Sequence, residues 1–544
     1  MVGPAIDHAD NSLVRRKLKS VECSSKDQNT NSYDLVPYES RSFGDSHPRR
    51  LQAMCHLFGV VSPVIDDCRV MELGCGNASN LIPMAEELPN ANFLGIDLSQ
   101  KQIAQGQAVV EELGLKNIEL RHGSILDVND DWGQFDYIIC HGVYSWVPDD
   151  VQDKILEVCR RNLRSNGVAL VSYNTFPGWH FRGTVRDIMK FHTSQLDDPR
   201  TQVAQARSVL DFLADACDSS AAYGQVLRQE LEILSRMNDS YLYHEHLESV
   251  NQPVHFYEFA ERLAEHRLQY LSESRFGSML TYDLPERAQN VLDNVSLIER
   301  EQYLDFLRNK AFRSSLLCHK EVAIERDVSF ERMRALFVSL VLPPEPSDVE
   351  IHSDESVIFK VKAAQCRTTA PIVKATFVTL GRLWPRTVAA EELLNHVQAT
   401  LRIADLKDAN ESAIEIEEIC SILVTMLGAN MLHYYRDPPT YVYEVGERPI
   451  ARPIARTQAA RGSHVTTCRH ETEPLDDLLC HIVQHLDGSH DRAALVQSVK
   501  QAVAGGSILA KGEEIRPYDI DPDDVEAIVD LALESIVRLA LLVG

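Results

Sequence analysis

No two of the twelve cysteines in this 544-residue chain form a CxxC pair, and their scatter offers no disulfide framework. Such usage suits a reducing compartment. The nearest approach to a metal motif is Cys468, His470, Cys480 and His481, whose spacing matches no common zinc module, so no metal is expected. Long apolar runs are also missing: none approaches the roughly 20 residues that cross a bilayer. Residues 1–20 carry Asp7 and Asp10 and no apolar leader segment, so the expectation is a cytoplasmic protein without membrane insertion. Positive charge is scarce, with 54 Lys and Arg against 80 Asp and Glu and a net charge of -26. A surface of that sign repels phosphate backbones, which argues against nucleic acid and for a cationic partner. No internal period of about 20–50 residues is visible, and the near-repeat "RPIARPIAR" is too short to make a solenoid.

What remains is a globular composition, 44% hydrophobic and 25% charged, in a chain too long for one core. Residues 1–32 are polar and read as a disordered tail. From residue 33 an arm leads into a helix, with Ser46 as its expected cap and Pro48 in its first turn. Strands are expected at Arg69–Leu73, Asn92–Ile96, Ile118–His122, Tyr137–Cys140 and Gly167–Tyr173. Helices are expected between them at Leu81–Glu87, Lys101–Leu113 and Val151–Leu163. This alternation gives an α/β domain over 33–185, a Rossmann-like parallel sheet with helices on both faces. After about residue 185 strand signals vanish, and "RTQVAQARSVLDFLADAC" and "AYGQVLRQELEILSRM" carry apolar residues at helical spacing, giving a helical domain over 186–335. "VLPPEPSDVE" reads as a linker. Beyond it, two or three helices and the alternating "TYVYEV" predict a winged-helix-like unit over 351–446. A second linker, "ERPIARPIARTQAARGS", precedes a helical unit over 470–544.

The chemistry starts at Gly74-Cys75-Gly76, where the first strand breaks into the first helix and absent side chains let a ligand approach the backbone. A dinucleotide fingerprint requires a third glycine at position 79, which is serine. Glu72, two residues before the first glycine, followed by G-x-G, resembles the first motif of class I S-adenosylmethionine-dependent methyltransferases. That cofactor carries an ammonium and a sulfonium, which favour a nearby carboxylate. Asp97, with Leu98 and Gln102 after it, ends the second strand at the depth where a carboxylate accepts ribose hydroxyls, as it does in dehydrogenases too. In the methyltransferase pattern Ser124 and Ile125 hold the adenine. "LRSNG" resembles the L-x-P-G-G entry to that fold's fifth strand, with Asn166 replacing a glycine. The expected cofactor is S-adenosylmethionine.

"CHGVYSWVPDD" and "SYNTFPGWHFRG" leave the fourth and fifth strands and hold two of the four tryptophans. Loops at the carboxyl ends of such strands line the ligand crevice. His141 joins the cofactor set. Tyr144 and Tyr173 are the expected groups to orient an acceptor amine, with Trp179 and His180 as further catalytic candidates. An aromatic wall suits a sulfonium through cation–π attraction.

Together "YDLVPYESRSFGDSHPRRL", "ELGCGNASNLIPMA", "GIDLSQKQI", "HGVYSWVP" and "SYNTFPGWH" resemble bacterial methyltransferases that carry a methyltransferase regulatory domain. "YLYHEHLESVNQPVHFYEFAERLAEHRLQYLSE" is similar to the hallmark of that domain. The group includes rickettsial protein lysine methyltransferases that act on outer membrane protein B. The resemblance implies a methyltransferase domain, a helical regulatory domain and a C-terminal winged-helix-like part. It also implies a homodimer and a protein substrate offering lysine, such as an outer membrane protein. The family keeps a glycine where this chain has Ala78, for which negative φ is expected. His244 and Glu245 are expected to reach the cleft from the regulatory domain. The competing readings are a small-molecule N- or O-methyltransferase and a non-catalytic protein that binds the cofactor and reports it.

Overall fold

The structure is a computed structural model describing residues 36, 40–404, 416–506, 508 and 524–544; the expected tail, 1–32, lies outside the described residues. Five strands form where short apolar runs meet turn residues: β1 Arg69–Leu73, β2 Asn92–Asp97, β3 Ile118–His122, β4 Phe135–Cys140 and β5 Leu163–Asn174. They pair in parallel in the order β3-β2-β1-β4-β5. All six residues of β4 are buried, as a central strand covered on both faces requires. Val70, Tyr137, Ile139 and Leu170 share one core with the helices Pro48–Leu57 and Leu81–Glu87. Met71, Ile138 and Val171 share the opposite core with the helices Asp149–Arg161 and Phe256–Glu265. The result is a three-layer α/β unit of the expected class.

Two strands absent from the sequence reading complete the sheet. β6 Leu268–Glu273 and β7 Phe312–His319 add antiparallel neighbours in the order β5-β7-β6, so the region 186–335 is not purely helical. Arg313, Ser315, Ser272 and Glu273 are buried beside the apolar residues of these strands. Arg313 is 1% exposed and donates to Glu273, Glu301 and Asp305 at 2.8, 3.1 and 2.8 Å.

Four further expectations are corrected. The cap ahead of Pro48 is His47, whose ring accepts from the Arg49 N–H, while Ser46 Oγ turns to the Phe43 carbonyl and to Asn80. Downstream come β8 Phe337–Leu340, the hairpin β9 Val357–Val361 and β10 Ala364–Thr368, β11 Val388–Ala389 and β12 Leu432–Tyr435, with β8 central in a small β11-β8-β12 sheet. "TYVYEV" (440–445) forms no strand. Its backbone is engaged singly, Val442 N–H donating to the Leu542 carbonyl, and Tyr441 is anchored through its hydroxyl on Thr387 and the Pro385 carbonyl. The second expected linker contains a helix, Pro453–Arg461, because proline is well suited to a first turn. Arg452 ahead of it bonds Glu86 at 2.7 Å and docks this segment on the helix that follows the glycine turn. Finally, three helices of 371–428 and a small sheet do occupy much of 351–446, but the sheet takes its central strand, β8, from ahead of the first expected linker, so this unit does not begin at 351.

Candidate active site at the strand tips

Gly74 and Gly76 take φ of +74° and +56°. A Cβ on Gly74 would meet Val143 Cγ2 at 2.4 Å, and one on Gly76 would meet Gln102 Oε1 and Ser40 Oγ at 2.6 Å. Backbone angle favours glycine at both places, and at Gly74 the space beside Val143 does so as well. Asp97 closes the turn from β2: its Oδ2 accepts the Gly76 N–H and its Oδ1 the Ser99 N–H, both at 2.8 Å. Ala78 departs from expectation, since it adopts φ +59° while fully buried. The turn is tight enough to impose the left-handed conformation on an alanine, at a cost of about 1–2 kcal/mol.

Glu72 is 4% exposed. Its Oε1 accepts from Asn80 Nδ2 at 2.8 Å, and its Oε2 is buried with no hydrogen-bond partner among the described residues. Burial pushes the carboxyl up to about 8, against the opposing pull of the Asn80 hydrogen bond. Gln102 Oε1 is a second buried, unpartnered acceptor at the same turn. Two orphaned acceptors beside a bare glycine backbone are chemically matched to an ammonium-bearing ligand. Further along the tips, Ser124 caps the turn Ile125–Asp127 and Asp127 answers its N–H, fixing the expected adenine segment. Leu98 is exposed and Cys75 buried. His141 is held between Phe43 and Phe312, ring centroids 3.9 and 6.0 Å away, and burial lowers its pKa to about 4, so it is a neutral imidazole near pH 7.

The acceptor candidates divide. Tyr144 is fully buried, its hydroxyl accepting from Arg262 Nη1 at 3.3 Å and its ring edge-on to Phe259. Tyr173, 1% exposed, lies 4.1 Å from Phe259 by centroid and pairs its hydroxyl with Ser315 Oγ at 3.3 Å. Trp179 is 2% exposed, packed edge-to-face with half-buried Trp146. These three are core residues in this structure, and none presents a surface to an acceptor. The cause is local: a short 3-10 turn at Tyr144–Trp146 sends Tyr144 inward, and Tyr173 sits on the core-facing side of β5. His180 is exposed and stacks on Phe176, 4.2 Å between centroids. His244 and Glu245 lie in a π-helical turn, Tyr243–Leu247, a form enriched at functional sites. His244 Nε2 is 2.6 Å from the Val36 carbonyl oxygen of the N-terminal arm, and Glu245 faces Arg182 at 3.8 Å.

Sequence reasoning missed the arm's part in the site. Phe43 N–H donates to Asn80 Oδ1 at 3.0 Å, Ser42 Oγ to the Ser79 carbonyl at 3.1 Å, and His470, from the C-terminal region, lies 2.9 Å from the same Asn80 oxygen. Asn80 could have been singled out, since it stands in "GCGNASN" directly after the glycines; Phe312 and His470 are too distant in sequence to carry any signal. Among the described residues no group of three or more His, Cys, Asp or Glu side chains is placed to hold a metal, and no helix is long and apolar enough to cross a membrane.

Comparison with known proteins fits this geometry. Three family models match: a methyltransferase domain at 65–229, a predicted methyltransferase regulatory domain at 238–319, and the PKMT C-terminal winged helix domain at 447–541. The regulatory match contains β6 and β7, and the winged helix falls beyond the 351–446 in which the sequence reading put it. The protein RP789 of Rickettsia prowazekii is 33% identical over 525 residues, 94% of each chain. RP028 of the same organism is 40% identical over 238 residues, 44% of this chain and 95% of that one. The structure of PKMT2 from Rickettsia typhi in complex with AdoHcy superposes with a TM-score of 0.83 at 28% identity, covering 93% of this chain and all of that one. The chain therefore belongs to the S-adenosylmethionine-dependent methyltransferases that carry a methyltransferase regulatory domain and a PKMT-type C-terminal winged helix.

Proposed function

We propose that this enzyme methylates lysine side chains of a protein substrate, with Glu72, Gly74, Gly76, Gln102, Asp97, Ser124 and Ile125 holding S-adenosylmethionine. The observation that carries the acceptor class is the full-length likeness to PKMT2; the net charge of -26 agrees with a lysine-bearing partner. When bound, the cofactor supplies an electrophilic methyl group on a cationic sulfonium. Glu72 Oε2 would accept from its ammonium, the glycine backbone would admit its methionine end, and Asp97 would accept from the ribose hydroxyls. His141, being neutral, adds no repulsion toward a sulfonium or an incoming amine. Phe43 and Phe312 supply an apolar flank that favours the unprotonated amine a lysine must present, its reference pKa being about 10.4. Phe176 and His180 form the rim on the acceptor side, and the regulatory region shapes access. In this reading the enzyme works in the cytoplasm as a homodimer.

The test is transfer of labelled methyl groups from S-adenosylmethionine into a cell lysate by the purified enzyme. Label on protein lysines is the expected outcome. Label confined to small metabolites sinks the acceptor class and leaves the cofactor assignment intact.

A further inference from the structure

A second concavity, of about 360 Å³, lies away from the glycine turn, where the N-terminal arm, the β11-β8-β12 sheet and the C-terminal region meet. Its walls carry five cations, Arg49, Arg50, Arg275, Lys362 and Arg469, against three carboxylates, Asp45, Glu87 and Glu471. In a protein of net charge -26 this is a local inversion of sign. Part of that charge is answered within the wall, Arg49 pairing with Glu87 at 2.7 Å and Asp45 facing both Arg50, at 3.6 Å, and Arg275, which leaves Lys362 and Arg469 in excess over Glu471. Arg50 lies over the Tyr434 ring at 3.4 Å, Arg469 donates to the Pro385 carbonyl at 3.1 Å and the Tyr441 hydroxyl at 3.3 Å, and Arg49 reaches the Asp437 carbonyl at 3.1 Å. Arg50 Nε has Asp45 Oδ1 3.6 Å away, whereas Arg469, 8% exposed, has a buried Nε with no hydrogen-bond partner among the described residues. A buried guanidinium N–H without an acceptor is costly unless a ligand completes it, and planar guanidinium groups match oxyanions. The volume sits at the small end of the range for ligand pockets.

The pocket also touches the active site. His470 lines it and lies 2.9 Å from Asn80 Oδ1, while Asn80 Nδ2 holds Glu72. Gly44 and Asp45, in the same wall, adjoin Phe43, whose ring packs on His141.

We propose that this cavity binds a small polyvalent anion, a phosphate- or polycarboxylate-bearing metabolite, and that its occupancy alters cofactor affinity through His470, Asn80 and Glu72. Binding stands independently of the methyltransferase reading; the coupling rests on it. The experiment is calorimetric titration of the full-length protein with inorganic pyrophosphate and, separately, with citrate, each against chloride at matched ionic strength. Saturable binding of one probe is expected, weakened at least tenfold in Lys362→Glu, an exposed position that leaves the fold alone, and in Arg469→Gln. Which probe binds tells phosphate from carboxylate chemistry. Absence of saturable binding by both, or binding undiminished in Lys362→Glu, overturns the site. For the coupling, the adenosylhomocysteine dissociation constant is measured with and without the bound anion. A change of threefold or more in the wild type, lost in Lys362→Glu, is expected, and reciprocity requires an equal effect on the anion. Unchanged affinity with the anion bound overturns the coupling.

Discussion

Glu72 and Glu273 sit in the same sheet, 4% and 3% exposed, yet their charge states are opposite. Around Glu273, burial pushes the carboxyl up, but Lys310 at 3.2 Å, Arg313 at 2.8 Å and Ser315 at 2.7 Å win and hold it down at about 2. Around Glu72 only Asn80 answers, and the carboxyl stands at about 8. Equal burial thus marks two different designs. The antiparallel edge spends its ionic groups on one another, as a structural network does. The parallel tip leaves an oxygen waiting for a cation that the chain does not provide. What separates a binding carboxylate from a structural one is the partner rather than the depth.

The sharpest way to break the comparison is Arg313→Met, which removes the cation shared by three buried carboxylates and should destabilise by about 3–5 kcal/mol in urea unfolding, while molecules that remain folded bind adenosylhomocysteine within about threefold of wild type. A stability loss below about 1 kcal/mol would dissolve the structural half of the contrast. Next, Glu72→Gln should lower adenosylhomocysteine affinity by roughly 1.5–3 kcal/mol, read by calorimetry. Its effect on folding has the opposite sign. A carboxyl raised from its unfolded value to about 8 favours the fold most at low pH and progressively less as pH rises through that window. The variant should therefore gain on wild type in urea midpoint between pH 5 and pH 8. Glu273, held at about 2, gives the reverse, stability present above the ordinary carboxylate range and lost toward strong acid. Glu72 also makes ligand binding near pH 7 release a proton, so the wild-type binding heat should depend on the buffer's ionisation enthalpy and that of Glu72→Gln should not.

A smaller effect is expected from Tyr144→Phe, about 1 kcal/mol of stability from the lost Arg262 hydrogen bond, with turnover retained; a collapse in turnover with cofactor binding intact would return Tyr144 to the active site. Smallest, Ala78→Gly should gain up to about 1 kcal/mol by relieving the positive φ.

The parallel half was legible because its signals are local. β1 and β3 fall on the expected residues, and Glu72, the two glycines and Asp97 lie within or beside them. What escaped obeys longer-range physics. Arg313 and Glu273 are buried because they answer each other across β6 and β7, a pairing that neither strand shows when read alone. The loop aromatics were found, but composition does not tell which side of a turn a ring takes; Tyr144 went to the core while Trp146 stayed half-buried. Asn80 joins residues 43, 46, 72 and 470, a meeting that no window of sequence contains.

The position of β7 between β5 and β6 bears on how the chain is made. Residues 175–311 intervene before β5 acquires its antiparallel neighbour. While they emerge from the ribosome, the parallel half has an open edge at β5, a ready template for pairing with another nascent chain. The helices that follow β5 begin directly with Gly178–Thr193, whose Gly178 N–H is tied to the Lys310 carbonyl just ahead of β7. That bond and the one from the Thr175 N–H to the Ala311 carbonyl join the start of the insertion to its end, so that when synthesis reaches β7 the strand is delivered beside the edge it must close.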